Sequence, residues 1–387
     1  MSLKFSIRLP SPCPFILPVG NRHLLCVSAN GGDGAALSIV SLTLRRVTKT
    51  YPLRGQVLGL ARCEGEGEGE NTAENTTPLI LLSYRSTGLV QKLLLDDYSK
   101  PTSVELVDFK DDCFCETFAS PSLKRSVFLC AAPTDSSYTI YDLRGDGRKA
   151  TSVPSHVEGS KTGMLTSLRV MRRGAVDTLI ALGFESGHLC VERLDSATFE
   201  IRESSWHLPA AEEPILSLSS HCDGDGDGDS DGDGDGDGDD GGQIMLAAGY
   251  AGEEPGFNVI VMKVVEVEGS LSVETVGKHM TSKSEIARPG VNAVKCFEGG
   301  VVSAGWDGRV RVFFHGTDSD SDSGIHGEEK KKKEKKKDLI LKGHKGSVRD
   351  VVEVLGGEIR SGIGSGNGIG FVSSGEDGKL NYWTSVL

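Results

Sequence analysis

No apolar run in the 387 residues approaches the ~20 needed to cross a bilayer as a helix. The opening "MSLKFSIRLPSPCPFILPVG" alternates and is cut by four prolines, so it makes a poor leader peptide. A soluble intracellular protein is expected. Cysteines number nine and never form a C-x-x-C pair; the nearest two, Cys113 and Cys115, are one residue apart in an alternating segment. That spacing fits buried thiols in a reducing compartment better than a disulfide framework or a zinc site. No G-x-S-x-G, H-E-x-x-H or Cys/His arrangement is present, so neither catalysis nor a cofactor is expected. His156, His188, His207 and His279 stand singly at strand ends or loops. A net charge of −13 speaks against a general nucleic-acid binder, which needs clustered Lys and Arg for phosphates.

Much of the charge is confined to low-complexity segments. Residues 64–78, 223–242, 317–338 and 357–370 read as loop insertions. The Asp-Gly tract contains one register, Asp229, Asp231, Asp233, Gly234 and Asp240, that imitates a calcium loop. No helical pattern flanks it, and a two-residue repeat produces such registers by chance, so it reads as a solvated insertion. Lys330, Lys331, Lys332, Lys333, Lys335, Lys336 and Lys337 surround Glu334 and form a candidate nuclear import signal. The competing reading is a charged loop, partly neutralised by the preceding "DSDSDS" and Glu328-Glu329. No aromatic residues are interleaved for base stacking. Glycines at 362, 364, 366, 368 and 370 match no phosphate-loop spacing.

What is abundant is short runs of Val, Ile, Leu and Thr with period two, divided by Gly, Asp, Ser and Asn. Such runs are half-buried strands, and the chain is expected to be all-β. The strands fall into sets of four. One joins "GMLTSLRVM", "DTLIALGFESG", "HLCVERL" and "FEIRESSWHL"; the last, "SVRDVVEVL", "GFVSSGEDG" and "KLNYWTSVL", lacks its fourth member. Seven sets can be counted, and without the insertions each spans about 45 residues, the period of WD-type propeller blades. The expectation is one domain over 1–387, a seven-bladed propeller whose missing strand is supplied by "LKFSIRL" at the N-terminus.

Two hairpins carry the sharpest signal, "VVSAGWDGRVRVFF" and "FVSSGEDGKLNYW". In the second, Asp377-Gly378 makes the turn and Trp383 supplies a large side chain between blades. His344 and Ser373 are placed to hydrogen-bond with Asp377 and Trp383, as in the His, Ser, Asp and Trp network of WD repeats. In the first, Ser303 and Asp307 remain, Phe313 stands at the Trp position and no Gly-His precedes, so a partial network is expected.

From Gly163 to Trp383 the order of segments resembles the ASTRA-associated protein 1 family, whose animal relative is the G-protein β-subunit-like protein. The resemblance rests on "MLTSLRV", "DTLIALGFESG", "EEPILSLS", "RPGVNAVK", "AGWDGRVRVF" and "SSGEDGKLNYW". Tryptophan after Ala-Gly in a turn, Trp306 here, is its best mark. The resemblance implies a non-catalytic nuclear scaffold, with the cytoplasm as a second compartment. It would serve an ASTRA-like assembly for chromatin remodelling and maturation of phosphatidylinositol-kinase-like kinases. The implied partners are a kinase-like subunit, Tel2-interacting proteins and RuvB-like ATPases, with no direct nucleic-acid or membrane contact. Two alternatives stay open. One is a G-protein β-like adaptor, which needs an N-terminal coiled-coil helix where a strand is expected. The other is the substrate-recognition propeller of a ubiquitin ligase.

Overall fold

The structure is a computed structural model. It describes residues 1–19, 22–30, 34–53, 55–63, 79–84, 89–94, 102–108, 118–119, 127–131, 138–142, 149–153, 162–173, 177–195, 198, 200–207, 212–222, 243–252, 258–267, 269–279, 290–314, 338–355 and 369–384. The insertions 64–78 and 223–242, residues 317–337 with the whole lysine block, residues 357–368, and Cys113 and Cys115 lie outside the described residues. The expected insertion at 357–370 is too long at its end, because Ile369 and Gly370 already pair with Leu355 and Val354.

The described strands form seven four-stranded antiparallel sheets. Blade 1 contains β2 (Phe15–Val19), β3 (His23–Asn30), β4 (Gly34–Ser41) and β5 (Arg46–Leu53); β1 (Ser2–Arg8) precedes it. Blade 2 is β6 (Val57–Cys63), β7 (Leu79–Tyr84), β8 (Leu89–Leu94) and β9 (Thr102–Asp108). Blade 3 follows with β10 (Phe118–Ala119), β11 (Val127–Ala131), β12 (Tyr138–Asp142) and β13 (Lys149–Val153). Blade 4 has β14 (Leu165–Arg173), β15 (Asp177–Phe184), β16 (Leu189–Asp195) and β17 (Ile201–His207). In blade 5 stand β18 (Ile215–Cys222), β19 (Ile244–Tyr250), β20 (Val259–Val267) and β21 (Ser270–His279). Blade 6 is β22 (Val291–Phe297), β23 (Gly300–Gly305), β24 (Arg309–Phe314) and β25 (Leu339–Lys342). Blade 7 combines β26 (Val348–Leu355), β27 (Ile369–Gly375) and β28 (Lys379–Thr384) with β1, which pairs antiparallel to β28 from Ser2↔Thr384 to Arg8↔Lys379.

The first strands of the blades, β2, β6, β10, β14, β18, β22 and β26, each touch the next in order, and β26 touches β2. The apolar cores lie between blades. Met171, Leu189 and Val191 of blade 4 pack on Leu246 and Ile260 of blade 5. Phe297 and Val312 of blade 6 meet Val351, Phe371 and Trp383 of blade 7. Ile7, Val352 and Tyr382 meet Leu24 and Val40 of blade 1. A single flat sheet has two apolar faces, and only a neighbour on each side removes both from water.

The first strand of five blades begins with the same irregularity. A bulge separates Val57 from Gly59, Leu165 from Ser167, Ile215 from Ser217, Val291 from Ala293 and Val348 from Asp350. The segments are "VLGL", "LTSL", "ILSL", "VNAV" and "VRDV", two branched apolar residues enclosing one free position and a small or polar one. A bulge re-aims the following side chain, and in blades 4 to 7 residues at these bulges bond to the next blade. Thr166 and Ser167 hydroxyls donate to the Ile215 carbonyl at 2.7 and 2.9 Å. Ser217 and Ser219 hydroxyls accept from the amides of Val294 and Cys296. Asn292 donates to the Val348 carbonyl at 2.6 Å, and Asp350 accepts from the Ile16 amide at 2.9 Å. Hydrogen bonds thus run from blade 4 through blade 7 into blade 1.

Candidate functional site: the rim of blades 6 and 7

The turns joining the second and third strands in blades 4, 6 and 7 share one design. Gly187, Gly308 and Gly378 hold positive φ values of 82°, 77° and 69°. Each donates its amide to the carbonyl three residues back, Phe184, Gly305 and Gly375. This is the tight hairpin closed by a left-handed residue, which glycine adopts without steric cost. In blades 6 and 7 an Asp precedes that glycine, and its carboxylate accepts from the amide two residues on, Arg309 or Lys379. Asp-Gly is therefore written where the backbone needs both a left-handed residue and a local acceptor.

In blade 7 the structure brings His344, Ser373, Asp377 and Trp383 into one chain of bonds. Trp383 Nε1 donates to Ser373 Oγ at 2.8 Å, Ser373 Oγ lies 2.9 Å from His344 Nε2, and His344 Nδ1 lies 3.0 Å from Asp377 Oδ1. The indole can only donate and an ionised carboxylate can only accept, which fixes the direction. Tryptophan donates to serine, serine to a neutral imidazole, and the imidazole Nδ1–H to Asp377. Burial lowers the His344 pKa, and the Asp377 bond opposes this without cancelling it. Burial raises the Asp377 carboxyl, but the His344 bond and the Lys345 amide more than offset it, and its pKa lies below the ordinary value. Glycine is required beside this chain: a Cβ on Gly375 would stand 2.3 Å from His344 Nδ1, and one on Gly343 2.6 Å from the Trp383 ring.

Blade 6 does not keep a reduced version of that network; it uses another. Asp307 is bonded by Arg311 through both guanidinium nitrogens, Nη1 at 3.0 Å, instead of by a histidine. Arg311 is fully buried, opposite Ser303 on the neighbouring strand, the place Asn381 takes opposite Ser373. Burial raises the Asp307 carboxyl, and the Arg311 bond and charge outweigh it, so the pKa is lowered overall. Ser303 Oγ has no hydrogen-bond partner among the described residues, because Phe313 has no N–H to offer it. Phe313 does occupy the Trp383 position, opposite Val301, and the His279 ring stacks on it at 4.4 Å. His279 was legible only as a lone histidine, since it follows Gly277 by two residues and not one. In blade 4 the same position is Glu192, a buried carboxylate that accepts from the Tyr138 hydroxyl of blade 3 at 2.6 Å. The aromatic wedge is replaced there by a polar bridge.

Trp306 links the two rim turns. Its Nε1 donates to Asn292 at 2.7 Å, its amide donates to the Gly290 carbonyl, and Asn292 in turn donates to Ser347 at 2.8 Å on the edge of blade 7. A Cβ on Gly290 would lie 2.5 Å from the indole, so "PG" before β22 and "GWDG" after β23 are one packing unit. Beyond it Glu376 accepts from the Ser347 amide and pairs with Arg349. The rim is a row of half-exposed indole, amide and charged groups on a rigid base, suited to contacting another molecule. Among the described residues no three His, Cys, Asp or Glu side chains gather as metal ligands would.

No family model matches the chain, and no curated protein matches it by sequence. Solved structures do. The Myceliophteria thermophila Cps50 (Swd1) β-propeller domain aligns with 96% of this chain and 99% of its own at TM-score 0.58 and 14% identity. Saccharomyces cerevisiae Sqt1 aligns over 100% of both chains at TM-score 0.56 and 11% identity. The WD40 β-propeller domain of Doa1 covers 100% of this chain and 97% of its own at 0.54 and 11%. The fold is a WD40 β-propeller. Identities this low carry the fold alone. In WD40 terms, blade 7 holds the full His–Ser–Asp–Trp network, and blade 6 replaces its histidine–aspartate link with an arginine–aspartate pair.

Proposed function

We propose that the propeller is a non-catalytic scaffold subunit of an ASTRA-like nuclear assembly, serving chromatin remodelling and the maturation of phosphatidylinositol-kinase-like kinases. One observation carries the reading: the sequence unit from Gly290 through "AGWDGRVRVF", the mark of the resemblance, is a single built feature of the rim. Trp306 seated on Gly290 and tied to Asn292 explains why those residues occur together. A rigid ring offering turns and loops around its rim supports a binding role. The partners of this reading are the kinase-like subunit, the Tel2-interacting proteins and the RuvB-like ATPases. The lysine block 330–337 is its import signal. Affinity purification of the full chain from its native cells, followed by mass spectrometry, tests it. The expected result is co-recovery of kinase-maturation or RuvB-like subunits. Ubiquitin-ligase subunits recovered without any of these would overturn it.

A further inference from the structure

The first 63 residues contain eight Lys and Arg and one acidic residue, Asp33, in a chain whose net charge is −13. The fold collects part of that excess at the seam between the N-terminal strand and blade 1. β1 and β5 touch there, and the Arg45 guanidinium lies 4.9 Å over the Phe5 ring. Arg45 has φ 55°, the one described non-glycine residue in the left-handed region, so its position is held by its surroundings. Arg46 opens β5 beside it, and Lys4 stands in the bulge between Leu3 and Phe5. The Arg22 carbonyl accepts from the Leu42 amide at the same end of blade 1. Lys4, Arg22, Arg45 and Arg46 are exposed. Among the described residues no carboxylate is within ion-pair reach of Lys4, Arg45 or Arg46. Two of the few exposed large apolar side chains adjoin them, Leu3 at 43% and Leu44 at 57%.

We propose that this seam is a docking surface for an acidic polypeptide segment carrying apolar side chains. Exposed Leu3 and Leu44 among Lys4, Arg45 and Arg46 match alternating acidic and apolar residues. Among the described residues the outer strands β1 and β5 each pair on one edge only, leaving the other for an extended segment to pair. A short peptide senses charge only within the Debye length of ~8 Å, so it experiences the local excess of base. A long polyanion or an anionic membrane would also meet the acidic remainder of the chain. The proposal deepens the scaffold reading and rests on it only in taking a protein as partner.

The test uses the full chain and a fluorescein-labelled peptide of about fifteen residues alternating Glu with Leu, beside its Gln-for-Glu counterpart. The Glu peptide is expected to bind, more weakly as salt rises. The Gln peptide and the double variant Lys4→Glu, Arg46→Glu should each lose roughly tenfold in affinity. Both substituted side chains are exposed, so the variant should melt as the parent does. Arg202→Glu, exposed on β17 of blade 4 across the ring from the seam, should leave binding unchanged. Equal binding by the double variant, equal binding of the Gln peptide, or no binding would overturn the proposal. So would phosphatidylserine vesicles or single-stranded DNA that displace the peptide with the same sensitivity to the reversals. Failure here, with kinase-maturation partners still recovered by purification, would discard the seam and leave the scaffold reading standing. Peptide binding with those partners absent would do the reverse.

Discussion

At the scale of single residues, the same turn position is stabilised by different chemistry in adjacent blades. His344 works as a neutral relay between Ser373 and Asp377. Its pKa is lowered by burial, as are those of His23, His207 and His279. A histidine held below its unfolded pKa takes up protons more readily when unfolded. Its contribution is therefore complete above an unfolded pKa of about 6.5 and is lost as pH falls from there toward the folded value. Thermal melts should show a falling midpoint between about pH 7.5 and pH 5.5, and His344→Asn should flatten part of that slope. An unchanged slope in the variant would contradict the neutral relay. In blade 6, Asp307→Asn leaves buried Arg311 without its counter-charge and should cost about 3–5 kcal/mol in urea denaturation. Adding Arg311→Met should recover much of the loss, whereas additive losses would contradict the pairing. The Ser, Asp and Trp of blade 7 could be read in advance because their spacing is set around one turn, and His344 because a Gly-His pair precedes the blade. Arg311 could not, since an arginine in an alternating strand reads as solvent-facing until its burial is seen.

At the scale of elements, period-two alternation was enough to locate the strands, because inner strands such as β15, β19, β23 and β27 bury side chains against neighbouring blades. The bulges were also present in the sequence as "VLGL", "LTSL", "ILSL", "VNAV" and "VRDV", but a four-residue pattern with one free position is hidden among apolar runs. Insertion ends were the least legible, as Ile369 and Gly370 show, because a glycine-rich run and a glycine-containing strand share a composition. The rim hairpin of blade 6 allows a direct check. Gly290→Ala places a methyl group against the Trp306 ring and should cost about 1–3 kcal/mol by overpacking, read by denaturant unfolding. A companion Trp306→Ala should make the alanine at 290 nearly harmless. If the cost of Gly290→Ala persisted in that background, the seat of the indole would not be its cause.

At the scale of the whole molecule, closure joins the beginning of the chain to its end. β1 pairs with β28, Ser6 donates to Asn381, Phe5 stacks on Tyr382 at 4.9 Å, and Asp350 accepts from Ile16 across the junction. Deleting residues 1–9 should expose the β28 edge and uncover the core around Leu380 and Tyr382. The expected outcome is a lower melting midpoint with aggregation by light scattering. A deletion variant that stays monomeric and melts unchanged would contradict that role. The most direct measurement is oxidative cross-linking of the paired positions through Arg8→Cys and Lys379→Cys in the native protein, located by peptide mapping. Closure predicts an intramolecular disulfide joining the two introduced thiols in monomeric protein. It predicts none when Arg8→Cys is combined instead with the out-of-register Asn381→Cys. No disulfide at the paired positions, or one formed only between two chains, would contradict it.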